Sequence, residues 1–455
     1  MRRIAAGISG RLFPTFLVLA TLTLFSVHLV AGPRTGLIVK LKPGSDAARL
    51  VGRHGLTVKK SVTRGSSSLL VINTANAKSL RSTLIMDAEV EYAEEDVAFP
   101  LDGGETVLPM DGGETVLPMG PANPATSDQT IWELLDGGET VLPMEEREII
   151  KAAYAALAKM VTPSERLLVQ PAFRKIGLYP SVSRATGRGV IIADLDTGAD
   201  TCHPALRGVV TWSFVDETNT PENCPTSATA KVPGYGHGTA VGSLIRSVAP
   251  EATLWSLRVF DSSGTALISD IYDATVFAVD RGAKVINMSF GTTTKSETLQ
   301  DAVQYARERG VTVVASAGNS NLEPLMYPAR YSEVKGITAT NSEDLKATFS
   351  NFGGEAFAAA PGVKMWVAYP NYQLTMVSGT SYSSPLAAAE AALVIDALQR
   401  QYSWHSYDNV HYAMRRGTID INRLNPLYYN KLGKGRIYIP WALDWTAFST
   451  GSTTN

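Results

Sequence analysis

Cysteine is scarce. Cys202 and Cys224 are the only two in 455 residues, which excludes a scaffold built on disulfides. Net charge is scarce as well: 41 Lys and Arg against 43 Asp and Glu leave −2, and there is no long basic run. Nucleic acid is therefore not an expected partner. Long hydrophobic runs are missing except at the start, where Leu12–Ala31 follows Arg2, Arg3 and Arg11 and closes on the small residues Ala31-Gly32. Basic, then apolar, then small is the order of a secretory signal, and residues 1–32 are read as one. The run is about long enough to span a bilayer, so an uncleaved anchor is the competing reading, and a membrane is expected as a partner only then. Pro14, Thr15, Thr21, Thr23, Ser26 and His28 dilute its apolar character and favour cleavage. The remainder is expected to be secreted or extracytoplasmic, in an oxidising compartment that permits a Cys202–Cys224 disulfide.

What the chain does have is 45% hydrophobic and 18% charged residues, a globular balance with length for two or three domains. Residues 36–100 alternate extended and helical patterns in the order β-α-β-β-α-β, which predicts a small α+β ferredoxin-like module. Residues 101–165 form a linker holding three identical copies of Asp-Gly-Gly-Glu-Thr-Val-Leu-Pro-Met, at Asp102–Met110, Asp111–Met119 and Asp136–Met144. Their Gly-Gly and Pro suit neither helix nor strand, so they read as flexible spacer. An amphipathic helix is expected at Glu145–Met160. Residues 166–443 then alternate buried strand-like runs with helical patterns, the signature of a doubly wound, mostly parallel α/β sheet. A polar tail, 444–455, closes the chain.

In such sheets function collects at the carboxyl ends of the strands, and chemistry-bearing loops follow there. The strand Val190–Leu195 runs into Asp196-Thr197-Gly198. A carboxylate at that position needs a partner, and a histidine N–H is a natural one. The same tripeptide opens aspartic peptidase loops, but those enzymes need two and this chain has one. Gly236-His237-Gly238-Thr239 sets His237 between glycines at a helix start, which leaves its imidazole accessible; none of the other five histidines has that setting. Ala315-Ser316-Ala317-Gly318-Asn319 ends a buried strand in a turn whose amide could stabilise an oxyanion, worth about 2.7–4 kcal/mol where such donors have been removed. Ser378-Gly379-Thr380-Ser381 runs into a small-residue apolar helix with Pro385 in its first turn, so Ser381 meets unpaired backbone N–H groups. Read singly, Ser381 is an N-cap, His237 a structural histidine and Asn319 a turn residue.

Together, Asp196-Thr197-Gly198, His237-Gly238-Thr239, Ala317-Gly318-Asn319 and Gly379-Thr380-Ser381 with Pro385, in that order, resemble the subtilisin-like serine peptidase family. The resemblance covers roughly residues 170–443. The sedolisin branch is disfavoured because it lacks the His-Gly-Thr loop. The resemblance implies a secreted serine endopeptidase whose partners are polypeptide substrates. Ser381 would be its nucleophile, His237 the general base and Asp196 the orienting carboxylate, with Asn319 and the Ser381 N–H as oxyanion hole. It further implies that Ser289-Phe290-Gly291 pairs with extended substrate, that Ala315-Ser316-Ala317 forms the other wall of the pocket, and that Met326 shortens its floor. The module 36–100 resembles the family's inhibitory propeptide, which implies a self-processing zymogen cut between Pro100 and Pro171, with its own propeptide as intramolecular inhibitor. No cofactor is required for catalysis. Calcium is common in relatives, but no ligand motif carries it over and Asp216-Glu217 is only a candidate acidic loop. Asp194 departs from the family pattern, two residues before Asp196 and on the same strand face. A non-catalytic or self-cleaving-only binding protein on the same fold is the rival reading.

Overall fold

The computed structural model describes residues 36–101, 106–107, 117–118, 165–215, 234–261, 263–403 and 405–448. The expected signal segment, the helix at 145–160, the third repeat, Asp216-Glu217 and Cys224 lie outside the described residues. Cys202 is disulfide-bonded.

Residues 36–100 carry β1 (Gly36–Leu41), α1 (Ala47–His54), β2 (Val58–Arg64), β3 (Ser67–Asn73), α2 (Ala77–Leu84), β4 (Val90–Asp96) and β5 (Ala98–Pro100). The sheet order is β2-β3-β1-β4, and β1 pairs antiparallel with both β3 and β4. Asp46 caps α1 by accepting from Ala48 N at 2.9 Å, and Gly55 stops it at φ 59°.

The second body is built on a nine-stranded sheet. Its strands are β8 (Ile191–Asp196), β9 (Val210–Ser213), β10 (Thr253–Arg258), β12 (Val285–Met288), β13 (Thr312–Ser316), β14 (Val334–Thr340), β15 (Ala358–Pro361), β18 (Thr418–Ile419) and β19 (Arg436–Ile437). They lie in the order β18-β19-β15-β14-β13-β12-β8-β10-β9, with every pair parallel except β18–β19. Successive side chains go to opposite faces: Ile192, Val285 and Val314 join the core of helices α3 (His237–Val248) and α6 (Ser384–Tyr402). Ala193, Ile286 and Val313 join that of α4 (Ile268–Asp280) and α5 (Glu297–Glu308). This is the α/β architecture expected from the alternating pattern. From β8 the sheet grows one way to β10 and β9 and the other way from β12 onward, so a crevice opens where the order reverses.

Three features depart from the sequence reading. The repeats supply backbone for strands: β6 (Thr106–Val107) and β7 (Leu117–Pro118), from the first and second copies, both pair antiparallel with β17 (Gln373–Ser378). A two-residue pairing draws its hydrogen bonds from an existing strand, so it tolerates Gly-Gly and Pro nearby. β17 itself forms an unforeseen hairpin with β16 (Met365–Tyr369). The expected polar tail begins too early: the last helix, Ile439–Phe448, crosses residue 444, and Thr446 is buried with its carbonyl accepting from Tyr402 Oη at 2.8 Å.

Candidate active site

β8 delivers Asp196 to the crevice at its carboxyl end. Both carboxylate oxygens face His237 Nδ1, at 2.7 and 2.8 Å, and Thr197 N donates to Oδ1 at 2.6 Å. Asp196 is wholly buried, so these donors replace the water it has lost. His237 begins α3 after the glycine turn Gly234–Gly236, both of whose glycines have φ 78°. Gly238 must lack a side chain, because a Cβ would fall 2.3 Å from the Gly198 carbonyl oxygen. This close approach brings the two loops together. His237 is not accessible as expected: it is 4% exposed. The Tyr382 ring lies 5.8 Å away, and Leu101 packs against the turn at Gly234.

Ser381 is the middle residue of a short 3-10 turn, Thr380–Tyr382, and the α-helix begins only at Ser384. It therefore precedes the helix rather than capping it. Its Oγ donates to the Ser289 carbonyl at 3.0 Å. Asn319, three residues past the end of β13, is tied to the same turn: its Oδ1 accepts from Thr380 N at 2.8 Å and Thr380 Oγ1 at 2.9 Å. The carbonyl end of the amide is thus assigned to Thr380, which leaves Nδ2 as the end turned elsewhere.

The two expected pocket walls also converge. Met326 N donates to the Ala317 carbonyl at 3.0 Å. A Cβ on Gly291 would meet Met326 Cβ at 2.7 Å, and one on Gly318 would meet its Cγ and Sδ at 2.9 Å. Met326 therefore stands between the segment Ser289-Phe290-Gly291 and the end of Ala315-Ser316-Ala317.

The sequence reading missed a strand on this crevice, β11 (Thr265–Leu267), which pairs antiparallel with β5: Thr265↔Pro100, Ala266↔Phe99 and Leu267↔Ala98. Leu101 N continues the ladder to the Gly264 carbonyl at 2.8 Å. Phe99 is buried between Phe260 and Phe290, with ring centroids 6.1 and 6.0 Å away. Among the described residues Phe290 meets Phe99 through its ring, and β5 takes its strand pairing from Thr265–Leu267. The turn Ser263-Gly264 was the available signal.

The module also holds the ends of two helices. Glu94 accepts from Ser296 Oγ, Thr298 N and Glu297 N at 2.7–2.9 Å at the start of α5. Asp96 accepts from Ser269 Oγ at 2.7 Å and Ser269 N at 3.1 Å at the start of α4. Burial pushes the Asp96 carboxyl upward, against those hydrogen bonds. Lys40 pairs with Asp301 at 2.9 Å, Arg64 bonds the same carboxylate, and Lys60 pairs with Asp273 at 2.5 Å. Among the described residues, no group of three or more His, Cys, Asp or Glu side chains could hold a metal.

A buried carboxylate on a histidine, a serine turn tied to an asparagine and a strand-lined crevice suit acyl transfer. The sequence model of the Subtilase family matches residues 187–421. Thermitase of Thermoactinomyces vulgaris is 37% identical over 222 residues, 46% of this chain and 76% of that protein. Subtilisin Savinase of Lederbergia lenta is 36% identical over 228 residues, 48% of this chain and 80% of its own. The thermophilic serine proteinase of Bacillus sp. (strain AK1) is 37% identical over 210 residues, covering 45% of this chain and 52% of that one. The chain belongs to the subtilase family. It is a subtilisin-like serine endopeptidase, a hydrolase of polypeptides.

Proposed function

We propose that Ser381 is the nucleophile, His237 its general base and Asp196 the carboxylate that orients the imidazole. The observation that carries this is the pair of contacts from His237 Nδ1 to the buried Asp196. With Nδ1–H committed there, Nε2 accepts the Ser381 proton as Oγ attacks a peptide carbonyl carbon. The resulting oxyanion takes hydrogen bonds from Asn319 Nδ2 and the Ser381 N–H, whose dipoles are set in advance. Collapse expels the amine, which leaves with the proton held by His237. Water, activated by the same imidazole, then releases the acyl group. Met326 limits the room for the residue before the scissile bond, and Ala315-Ser316-Ala317 faces it across the pocket. Stoichiometric labelling by a fluorophosphonate in the matured wild type, absent in Ser381→Ala, is the expected result; folded wild type that takes no label would sink the assignment.

The ferredoxin-like module 36–100 is, on this proposal, an inhibitory propeptide. Support comes from β5 lying along β11, from Phe99 between two aromatic rings, and from carboxylates that cap α4 and α5. Leu101 sits by the His237 turn, while Thr106 pairs with Ser378 on the strand that runs into Ser381. The chain between them, Asp102–Glu105, lies outside the described residues, and we infer that self-cleavage falls within it, in the first repeat. N-terminal sequencing of matured protein is expected to begin between residues 102 and 106; a start upstream of Gly36 would contradict zymogen processing. The occupied crevice also favours a second reading, an enzyme that cuts only its own linker, and hydrolysis of casein excludes it.

Export belongs to the same proposal, with 1–32 as the signal. Among the described residues no helix is long and apolar enough to cross a membrane. Cys202, already disulfide-bonded, would pair with Cys224, the one other cysteine.

A further inference from the structure

Asp194 and Asn287 are direct partners across β8 and β12, both fully buried. Asn287 Nδ2 donates to Asp194 Oδ1 at 2.8 Å and to Ser289 Oγ at 2.9 Å, which uses both of its N–H groups. Two oxygens are left over, Asp194 Oδ2 and Asn287 Oδ1, each buried without a hydrogen-bond partner. An orphaned buried acceptor costs about 1–3 kcal/mol, so two beside one existing bond call for an explanation. Both are acceptors, and they belong to groups already joined on their other side. A single proton on Asp194 Oδ2, donated to Asn287 Oδ1, closes a two-bond acid–amide ring and satisfies both.

The geometry points to Asp194 as a neutral carboxylic acid that acts as a positioning residue for Ser381. The direction of every bond follows from that proton. Asn287 is locked with Nδ2 toward Ser289 Oγ, so Ser289 accepts there and donates its own hydrogen to the Ser381 carbonyl at 2.9 Å. Ser384 Oγ, 2.9 Å from Ser289 Oγ, is then the donor in that contact. Ser381 Oγ donates back to the Ser289 carbonyl. The nucleophile's turn thus hangs on a chain that begins at Asp194.

The surroundings favour the neutral form. Burial raises the Asp194 carboxyl well above its usual range, and the Asp196 charge raises it further, while Asn287 and His237 oppose them. β10 presents Ser256 to Asp194, β12 presents Asn287, and α3 presents His237. The charges that reach Asp194 are those of Asp196 and His237.

This inference rests on the proposed roles of Ser381 and His237, which fluorophosphonate labelling of wild type and Ser381→Ala tests separately. The test of Asp194 itself compares wild type, Asp194→Asn and Asp194→Ala in the pH dependence of kcat and kcat/KM. Asparagine reproduces both bonds of the ring, so Asp194→Asn is expected within about threefold of wild-type kcat. Its acidic limb is expected to be unshifted, because no negative charge has been taken from beside His237. Asp194→Ala is expected to lose on the order of tenfold in kcat with KM nearly unchanged. A move of the acidic limb to lower pH in Asp194→Asn would mean that a charged carboxylate had been removed. That result overturns the inference, as would an Asp194→Asn protein that fails to fold or is as impaired as Asp194→Ala.

Discussion

Glu390 gives the sharpest test of how burial sets charge in this protein. It lies in α6, in the core behind the nucleophile, fully buried, with neither carboxyl oxygen hydrogen-bonded. Desolvation alone pushes its carboxyl well above the ordinary value of 4.5, so the folded chain holds it as the neutral acid. The unfolded chain releases that proton once pH exceeds about 4.5. Stability from this group is therefore fully present below that pH and falls by about 1.4 kcal/mol per unit until the folded group also ionises. The loss is thus larger at pH 7 than at pH 5. Glu390→Gln keeps the shape and the polarity of the neutral acid but cannot ionise, so the slope should vanish. In a Ser381→Ala background, to prevent self-digestion, equilibrium denaturation should show Glu390→Gln gaining stability relative to the parent as pH rises from 5 to 7, by up to about 1.4 kcal/mol per unit. Asp194 has the same sign but is present in both proteins, so it cancels. Equal gains at both pH values, or a loss at pH 7, would mean that Glu390 is ionised and paired, and the reasoning fails.

Two further perturbations bear on the crevice. Met326→Gly clears the space between Gly291 and Gly318, and should raise kcat/KM for substrates with a bulky aromatic before the scissile bond, relative to alanine, by on the order of 10–100-fold. A profile that does not move would show that Met326 does not limit the pocket. Phe99→Ala removes the ring between Phe260 and Phe290, a loss of about 3 kcal/mol by comparison with buried Phe→Ala changes, and should weaken inhibition by the cleaved module roughly 100-fold. Unchanged inhibition would assign the hold to the polar contacts of Glu94, Asp96, Lys40, Arg64 and Lys60.

The site was legible wherever its chemistry is carried by short glycine-punctuated loops. Gly238 is fixed because a Cβ there would fall 2.3 Å from Gly198 O, and Gly236 by φ 78°, so the flanks of His237 announce themselves in sequence. Strands buried on both faces, such as β12 and β13, read as apolar runs and were equally plain. Thr265–Leu267 was not. Those three residues adjoin the apolar start of α4, and a strand that short has no periodicity of its own. The burial of His237 was equally hidden, because Leu101 and Tyr382, which lie against its turn and ring, come from distant parts of the chain. The repeats misled for a related reason. Composition reports what a segment does alone, whereas β6 and β7 exist only because β17 offers them an edge.

Asp194 and Asp196 differ in the donors that reach them, although they stand two residues apart. Both lie on the same strand, face the same layer and are buried. Asp196 stands at the carboxyl end of β8, where the chain has left the ladder, so a loop amide and the His237 ring can both donate to it. Asp194 stands one pleat deeper, where the neighbouring backbone groups are spent on β10 and β12, and a single amide side chain reaches it. Two donors satisfy the first; one donor, which itself has an oxygen to satisfy, favours a proton on the second. Of the two, the outer carboxyl is the one hydrogen-bonded to His237, which on the proposed mechanism lets it stabilise the imidazolium. The inner one, kept neutral, adds no second negative charge near His237.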